Sequence, residues 1–111
     1  MSVLVVVPVL NRPHRVTPLV ESFQASLGTV SQRLLFLVSP ADREQLSMVD
    51  RHGCERIIVS WEPGPADFSR KTNLAIRETT EEWVFAAADD LVFHPGWAEE
   101  AIRVSNMRRK R

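Results

Sequence analysis

The sequence is short of cysteine, glycine and long apolar runs, and each shortage excludes a class of protein. Its one cysteine, Cys54, cannot form an internal disulfide, so we expect the reducing environment of the cytoplasm. Four glycines form neither the GxGxxG turn of dinucleotide-binding enzymes nor the GxxxxGK[ST] loop of P-loop enzymes. The longest apolar run, Val3–Val7, is far shorter than the roughly 20 residues that cross a membrane, so we expect no transmembrane segment. We also expect no signal peptide, because no basic segment and cleavage site flank that run.

The composition is that of an ordinary globular domain. Hydrophobic residues make up 44% of the 111 residues and charged residues 25%, with 14 basic side chains balancing 14 acidic ones. A disordered chain would have fewer hydrophobic residues and a larger net charge. We therefore predict one folded domain over residues 1–106, because chains of this size rarely divide into several.

Residues 107–111 form a basic tail. Five basic residues and no acidic residue follow Glu100, which leaves nine basic residues against 14 acidic ones in the rest of the chain. Such a cluster can contact nucleic acid, an acidic membrane surface or an acidic partner, or it can be a solvated terminus. No aromatic residue interleaves with these bases as single-strand binding requires. We interpret the tail as a solvated terminus and expect no nucleic-acid partner.

Strand and helix patterns alternate along the chain. Apolar runs predict strands over Val3–Val7, Leu34–Val38, Arg56–Ser60 and Trp83–Ala87. Helical spacing and capping signals predict helices over Arg15–Leu27, from a cap at Ser39 to Gly53, through Lys71–Ile76 and over Trp97–Asn106. The order β-α-β-α-β-α-β-α with short loops predicts a three-layer α/β fold with a mainly parallel four-stranded sheet.

Asp89 and Asp90 are the most distinctive polar residues, because they directly follow a predicted buried strand. Ligands of open parallel sheets bind at the carboxyl ends of the strands. Two adjacent carboxylates repel each other, and a divalent cation, Mg²⁺ or Mn²⁺, bound together with substrate phosphates would relieve that repulsion. The alternative is a loop in which one aspartate caps the backbone and the other faces water.

Three further side chains are candidates for phosphate binding. Arg12 follows the first predicted strand, and its planar guanidinium suits bidentate phosphate contacts. Lys71 and Asn73 are predicted in the first turn of the third helix, where backbone N–H groups also attract anions. For each of these residues the alternative is an exposed helix flank or a solvated helix face.

Taken together, three segments resemble the N-terminal half of a GT-A glycosyltransferase of the family 2 type. Val5–Pro13 is similar to the family's first strand and its P-x-x-N-R turn. Lys71–Ile76 resembles its R-N-x-G-I helix, which lies beneath the sugar nucleotide. Glu82–Leu91, followed by Phe93–Trp97, looks like the strand that carries the D-x-D-D motif and the turn after it. The resemblance covers about residues 3–105 and implies a Rossmann-like half of the GT-A fold.

The resemblance also implies a ligand and the residues that bind it. The ligand would be a nucleoside-diphosphate sugar with Mn²⁺ or Mg²⁺, and Asp89 and Asp90 would be the metal ligands. The nucleotide-sugar-binding residues would be Pro8, Asn11, Arg12, Asp42, Lys71, Asn73 and Asp89. This sequence departs from the motif at Ala87, which stands where the family has its first D-x-D acid.

The family's acceptor site and catalytic base come from a C-terminal half that lies beyond these residues. We therefore expect a glycosyltransferase-like domain that transfers its sugar only with a base supplied from elsewhere. The alternative is a catalytically inactive fold that acts as a protein-interaction module. In either case the sheet edge after the fourth strand is expected to be exposed and available to a homodimer or a partner chain.

Overall fold

The computed structural model describes residues 2–109, and its sheet contains four strands. These are β1 (Ser2–Pro8), β2 (Ser31–Val38), β3 (Glu55–Ile58) and β4 (Trp83–Ala86). Their order across the sheet is β3-β2-β1-β4, and every neighbouring pair is parallel. Val5 of β1 lies opposite Leu34 of β2 on one side and Phe85 of β4 on the other. The predicted parallel sheet is confirmed.

Four α-helices cover the two faces of this sheet unequally. They are α1 (Val16–Ala25), α2 (Arg43–Arg51), α3 (Asp67–Glu78) and α4 (Trp97–Arg109). Val20 of α1, Val49 of α2 and Ile102 of α4 pack in one cluster on the first face. Ala75 of α3 packs with Leu4 on the second face. The predicted three-layer α/β fold is confirmed, with three helices on one side and one on the other.

The central position of β1 explains its composition. It pairs with a strand on each side and has helices above and below, so no polar side chain alternates with its apolar ones. Leu4–Val7 is completely buried. β4 lies at the edge of the sheet and is shorter, and its Val84 and Phe85 side chains are 40% and 36% exposed.

The chain reverses its direction across the sheet next to β1. From β1 it passes through α1 to β2 and through α2 to β3, and α3 then returns it to β4 on the far side of β1. The strand order therefore switches between β1 and β4. In open parallel sheets such a switch opens a crevice at the carboxyl ends of the two strands, where ligands bind.

Two helix starts differ from the sequence prediction. The second helix begins at Arg43 and not directly after a cap at Ser39, because the Ser39 carbonyl accepts the N–H of Asp42 (3.2 Å) and closes a turn first. The third helix begins at Asp67, so Lys71 and Asn73 lie in its second turn and not in its first. The placement of these two residues at a helix N-terminus was therefore wrong.

The last helix also continues beyond its predicted end at Asn106. It extends through Arg109, so residues 107–109 of the predicted tail continue the helical backbone. Lys110 and Arg111, the rest of that tail, lie outside the described residues. Within residues 2–109, no helix combines the length and the apolar character that would let it cross a membrane.

The segment between Asp90 and α4 is anchored on α1. The Phe93 N–H donates to the Ser22 hydroxyl (3.1 Å), and the Trp97 indole N–H donates to the Ser26 hydroxyl (3.2 Å). The rings of Phe93 and Trp97 pack with their centroids 5.0 Å apart. These contacts fix the chain immediately after the two aspartates, and so they limit where those carboxylates can lie.

Candidate functional site

The crevice at the strand switch contains a cavity of about 410 Å³, which we call the switch-point cavity. Residues from the ends of β1 and β4 and from the start of α3 line it: Pro8, Arg12, Phe68, Thr72, Ala86, Ala87, Ala88, Asp89 and Asp90. Four of the residues singled out in the sequence, Pro8, Arg12, Asp89 and Asp90, therefore meet in one place. The sheet brings them together although more than 75 residues separate the two ends of the set.

A second cavity, of about 390 Å³, lies on the β2 side of the turn that follows β1. Its lining includes Asn11, Asp42 and Glu44, and we call it the Asp42 cavity. The turn from Pro8 to Arg12 contributes residues to both cavities. The predicted nucleotide-binding turn thus lies between two spaces along the carboxyl edge of the sheet.

Side chains at the start of α2 and just before it hold the Pro8–Arg12 turn in place. Asn11 has a left-handed backbone (φ 54°), a conformation that asparagine tolerates better than most residues. Its N–H donates to Oδ2 of the buried Asp42 (2.7 Å). The next N–H, that of Arg12, donates to Oε1 of Gln45 (2.8 Å), which is completely buried. Asp42 therefore positions the turn and also lines a cavity, and Gln45 is a supporting residue that the sequence analysis missed.

An ion pair joins the ends of β1 and β4 inside the switch-point cavity. Nε of Arg12 lies 3.3 Å from Oδ2 of Asp89. The Arg12 side chain is half exposed, whereas that of Asp89 is largely buried, and Asp90 is exposed. The guanidinium offsets part of the repulsion between the two adjacent carboxylates that the sequence pattern raised.

The donor set for a divalent cation consists of two neighbouring carboxylates. Within the part of the chain that the structure describes, no group of three or more histidine, cysteine, aspartate or glutamate side chains is placed to hold a metal. Ala87, in the position of the family's first acid, is buried and supplies no ligand. Mg²⁺ and Mn²⁺ bind through hard oxygen ligands, and Mg²⁺ is commonly held by one or two carboxylates together with substrate phosphates. Asp89 and Asp90 fit that minimal set.

Lys71 lies beneath the site and not in it. Its side chain is completely buried, and its Nζ lies 2.8 Å from the Val9 carbonyl, 2.9 Å from the Ser39 hydroxyl and 2.7 Å from Oδ2 of Asp67. These contacts tie the end of β1, the end of β2 and the start of α3 to one ammonium group. Lys71 therefore fixes the relative positions of the segments that carry the site.

The partner of Lys71, Asp67, is held by a second donor. The Trp61 indole N–H donates to Oδ1 of Asp67 (2.9 Å), and the Arg70 guanidinium lies over the Trp61 ring at 4.2 Å. Burial alone would raise the pKa of Asp67, but the hydrogen bonds from Lys71 and Trp61 and the charges of Lys71 and Arg70 hold it below its ordinary value. Asp67 is therefore a charged group in a largely buried position, paired with Lys71 through Oδ2 and hydrogen-bonded to Trp61 through Oδ1.

Asn73 is not brought together with the other predicted residues. It is exposed on α3 and lines neither of the two cavities. Its neighbour Thr72 lines the switch-point cavity instead, as does Phe68 four residues earlier. The i, i+4 spacing of Phe68 and Thr72 is the sequence signal that could have identified this face of α3.

The fold has a counterpart among solved structures. The chain is similar to the crystal structure of Staphylococcus aureus TarS 1–349, a GT-A-type glycosyltransferase, with a TM-score of 0.78 and 15% sequence identity. The similarity covers 96% of this chain and 33% of the TarS chain, so the chain spans about a third of that length. No protein-family model and no curated protein sequence matches the chain. The similarity shows a glycosyltransferase-like α/β fold, as the resemblance implied.

Proposed function

We propose that this chain binds a nucleoside-diphosphate sugar together with Mn²⁺ or Mg²⁺, as the donor-binding part of a glycosyltransferase. The observation that carries the proposal is the switch-point cavity, where Arg12, Asp89 and Asp90 surround one space. A cationic fork beside two carboxylates is complementary to a ligand that brings both phosphate groups and a divalent cation. The glycosyltransferase-like fold supports the same conclusion.

Because a cavity lies on each side of the turn after β1, we infer that the two ends of the ligand bind on opposite sides of this turn. We assign the nucleoside to the Asp42 cavity, where Asn11 and Asp42 provide hydrogen-bonding groups. The diphosphate would then cross the turn formed by Pro8–Arg12, and the sugar would occupy the switch-point cavity. We assign Arg12 to the phosphates, because its guanidinium already pairs with an anionic group at the cavity.

Asp89 and Asp90 would hold the metal ion, which would offset the charge of the departing diphosphate when bound. Arg12 exchanges its contact with Asp89 for a phosphate oxygen, which frees the Asp89 carboxylate for the cation. The Arg12 side chain is 49% exposed, so a ligand can reach its guanidinium. Arg12 and Asp89 would then each have an oppositely charged partner before and after the ligand binds.

Two of the residues that the resemblance implies take different places in this proposal. Lys71 supports the site by holding the Val9 carbonyl and Ser39, because its ammonium group is already surrounded by three oxygen atoms. Asn73 enters the proposal through the resemblance alone. An exposed position on α3 would let it reach a part of the donor that extends beyond the cavities.

Sugar transfer also needs a general base, which the resemblance assigns to a C-terminal half outside these residues. The bond between the anomeric carbon and the diphosphate oxygen breaks, a bond to an acceptor oxygen forms, and the acceptor's proton passes to a base. We propose that this base comes from a partner docked at the β4 edge, which would be a second copy of the chain, a different protein in the cytoplasm or a further segment of the same polypeptide. Val84 and Phe85, exposed at this edge, support such a contact.

Calorimetric titration of an Asp89→Asn variant tests the assignment. We expect Mn²⁺-dependent binding of nucleoside diphosphate to be lost, with little change in melting temperature, because the substitution keeps the size of the side chain. Asp50→Asn is the matched control, since Asp50 is an exposed aspartate on α2 that pairs with Arg56 away from the site. Binding by Asp89→Asn as tight as that of the parent protein would show that the site is assigned wrongly.

A further inference from the structure

The switch-point cavity has two chemically different walls. Among its lining residues, Arg12, Asp89 and Asp90 are charged, and we call them the charged wall. Phe68, Pro8 and the alanines at the end of β4 are apolar, and we call them the apolar wall. The proposed function uses the charged wall and leaves the apolar wall without a role. A cavity with one apolar side and a few convergent polar groups selects a ligand that has the same two-sided character.

Phe68 is the largest apolar side chain that lines the cavity, and it belongs to neither apolar cluster of the sheet. The Nζ atom of the buried Lys71 lies 6.0 Å from its ring centroid. Phe68 is 57% exposed in the first turn of α3, whereas Lys71 and Ala75, which face the sheet, are completely buried. An aromatic ring that stays in water forgoes the burial that normally stabilises such side chains. Because Phe68 lines the switch-point cavity, a ligand bound there would contact it.

The sugar ring of the proposed donor has the matching chemistry. One face of a pyranose presents C–H groups with a small positive charge, and hydroxyl groups project from its edge. The face of an aromatic ring is the negative end of its quadrupole, so it attracts such C–H groups, and the contact also removes apolar surface from water. Hydroxyl groups at the ring edge would meanwhile face the charged wall.

We propose that Phe68 is the platform on which the sugar of the bound donor stacks, and hence a residue that determines donor specificity. This inference rests on the proposed function. Phe68 contacts the sugar and not the nucleoside, so it distinguishes a nucleoside-diphosphate sugar from the corresponding free diphosphate. Another exposed residue on the same helix, Ile76, has no such role, because it does not line the cavity.

The test compares the Mn²⁺-dependent dissociation constants of three pairs: UDP and UDP-glucose, GDP and GDP-mannose, and TDP and TDP-glucose. We expect Phe68→Ala to weaken binding of the sugar conjugate about threefold to tenfold, the range of an aromatic contact, and to leave the diphosphate unaffected. Phe68→Trp should retain the affinity for the sugar conjugate. The affinity of Phe68→Leu should lie between those of Phe68→Trp and Phe68→Ala. Ile76→Ala is the matched control and should change neither constant.

The outcomes separate this inference from the proposed function. If the parent protein binds none of the six compounds, both are overturned. If it binds them and Phe68→Ala weakens diphosphate and conjugate equally, or weakens neither, the stacking platform is wrong while donor binding stands. An Ile76→Ala variant as impaired as Phe68→Ala also overturns the platform, since a general apolar surface on α3 would then be responsible.

Discussion

The two faces of the sheet differ in what covers them. On the face of α1, α2 and α4, large apolar side chains such as Phe36 and Val49 are buried in one cluster. On the α3 face one helix covers the sheet, and Phe68, Ile76 and Val84 stay exposed. Apolar packing is thus concentrated on one side, and the cavity opens on the other.

The α3 face replaces part of the missing apolar packing with a polar network. Lys71 and Asp67 form an ion pair there, and both side chains are buried or nearly so. Buried ion pairs contribute little net stability compared with apolar packing, but removing one partner leaves the other charge uncompensated. The network therefore fixes the relative positions of α3 and of the ends of β1 and β2 on the face where the cavity opens.

The largest effect is expected from Phe36→Ala in the three-helix core. Phe36 is 1% exposed, so the substitution leaves a cavity between β2 and the helices. We expect it to lower the free energy of unfolding by about 3–5 kcal/mol, measured by urea denaturation. A loss under about 1 kcal/mol would mean that this face is not the main source of stability.

We expect Lys71→Met to lower the free energy of unfolding by about 3 kcal/mol, because it leaves the Asp67 carboxylate buried without its cation. The double variant Lys71→Met, Asp67→Asn should recover part of this loss, since it removes the stranded charge as well. The same urea titration measures both. If the double variant is no more stable than Lys71→Met alone, the stranded carboxylate is not the cause of the loss.

The stability that Asp67 contributes should depend on pH in a defined direction. Its pKa is below the ordinary value of 3.8 in the folded state, so the contribution is fully present above that value. It is lost as the pH falls through the folded pKa. The difference in unfolding free energy between the parent and Asp67→Asn should be constant above about pH 5 and shrink in acid. A difference that grows in acid would contradict the assigned direction.

Arg12→Ala should affect binding far more than stability. The Arg12 side chain is half exposed, so its pair with Asp89 is screened by solvent, and we expect a stability change within about 0.5 kcal/mol. Binding of a nucleoside diphosphate should weaken about tenfold or more in calorimetric titration. Arg12→Lys keeps the positive charge but loses the forked guanidinium, so its affinity should lie between those of the parent protein and Arg12→Ala. Unchanged affinity in Arg12→Ala would remove this residue from the phosphate site.

The smallest effect is expected from Ile76→Ala on the α3 face. Its side chain is 48% exposed, and substitutions at such positions change stability by about 0.5 kcal/mol or less. Thermal melts of the variant and the parent protein should nearly coincide. A loss of stability as large as that of Phe36→Ala would show that the two faces of the sheet contribute similarly to the free energy of unfolding.

The sequence predicted those parts of the fold that depend on local patterns. The uninterrupted apolar run at Val3–Val7 indicated a strand covered on both faces, and β1 is the fully buried centre of the sheet. Asp89 and Asp90 were placed at a strand end by the apolar residues before them. The predicted start of the second helix was wrong. The Ser39 carbonyl closes a turn and the Ser39 hydroxyl accepts a hydrogen bond from Lys71, so Ser39 does not cap the helix.

Residues whose roles depend on distant partners could not be predicted. The buried position of Lys71 requires the Val9 carbonyl, 62 residues away in sequence, and no local pattern indicates such a contact. Gln45 supports the Pro8–Arg12 turn across 33 residues. Phe68 has an apolar side chain that a pattern assigns to the core, and only the strand order shows that it lines a cavity.

The most direct test of donor binding is a thermal-melt panel of UDP, GDP, TDP and their common sugar conjugates, with and without Mn²⁺. Ligand at about 100 times its dissociation constant adds roughly 2.7 kcal/mol, which raises the melting temperature of a domain of this size by about 10 °C. We predict a rise of this order for one nucleotide that requires the metal ion. A flat panel for all compounds under both conditions would contradict the proposed donor site.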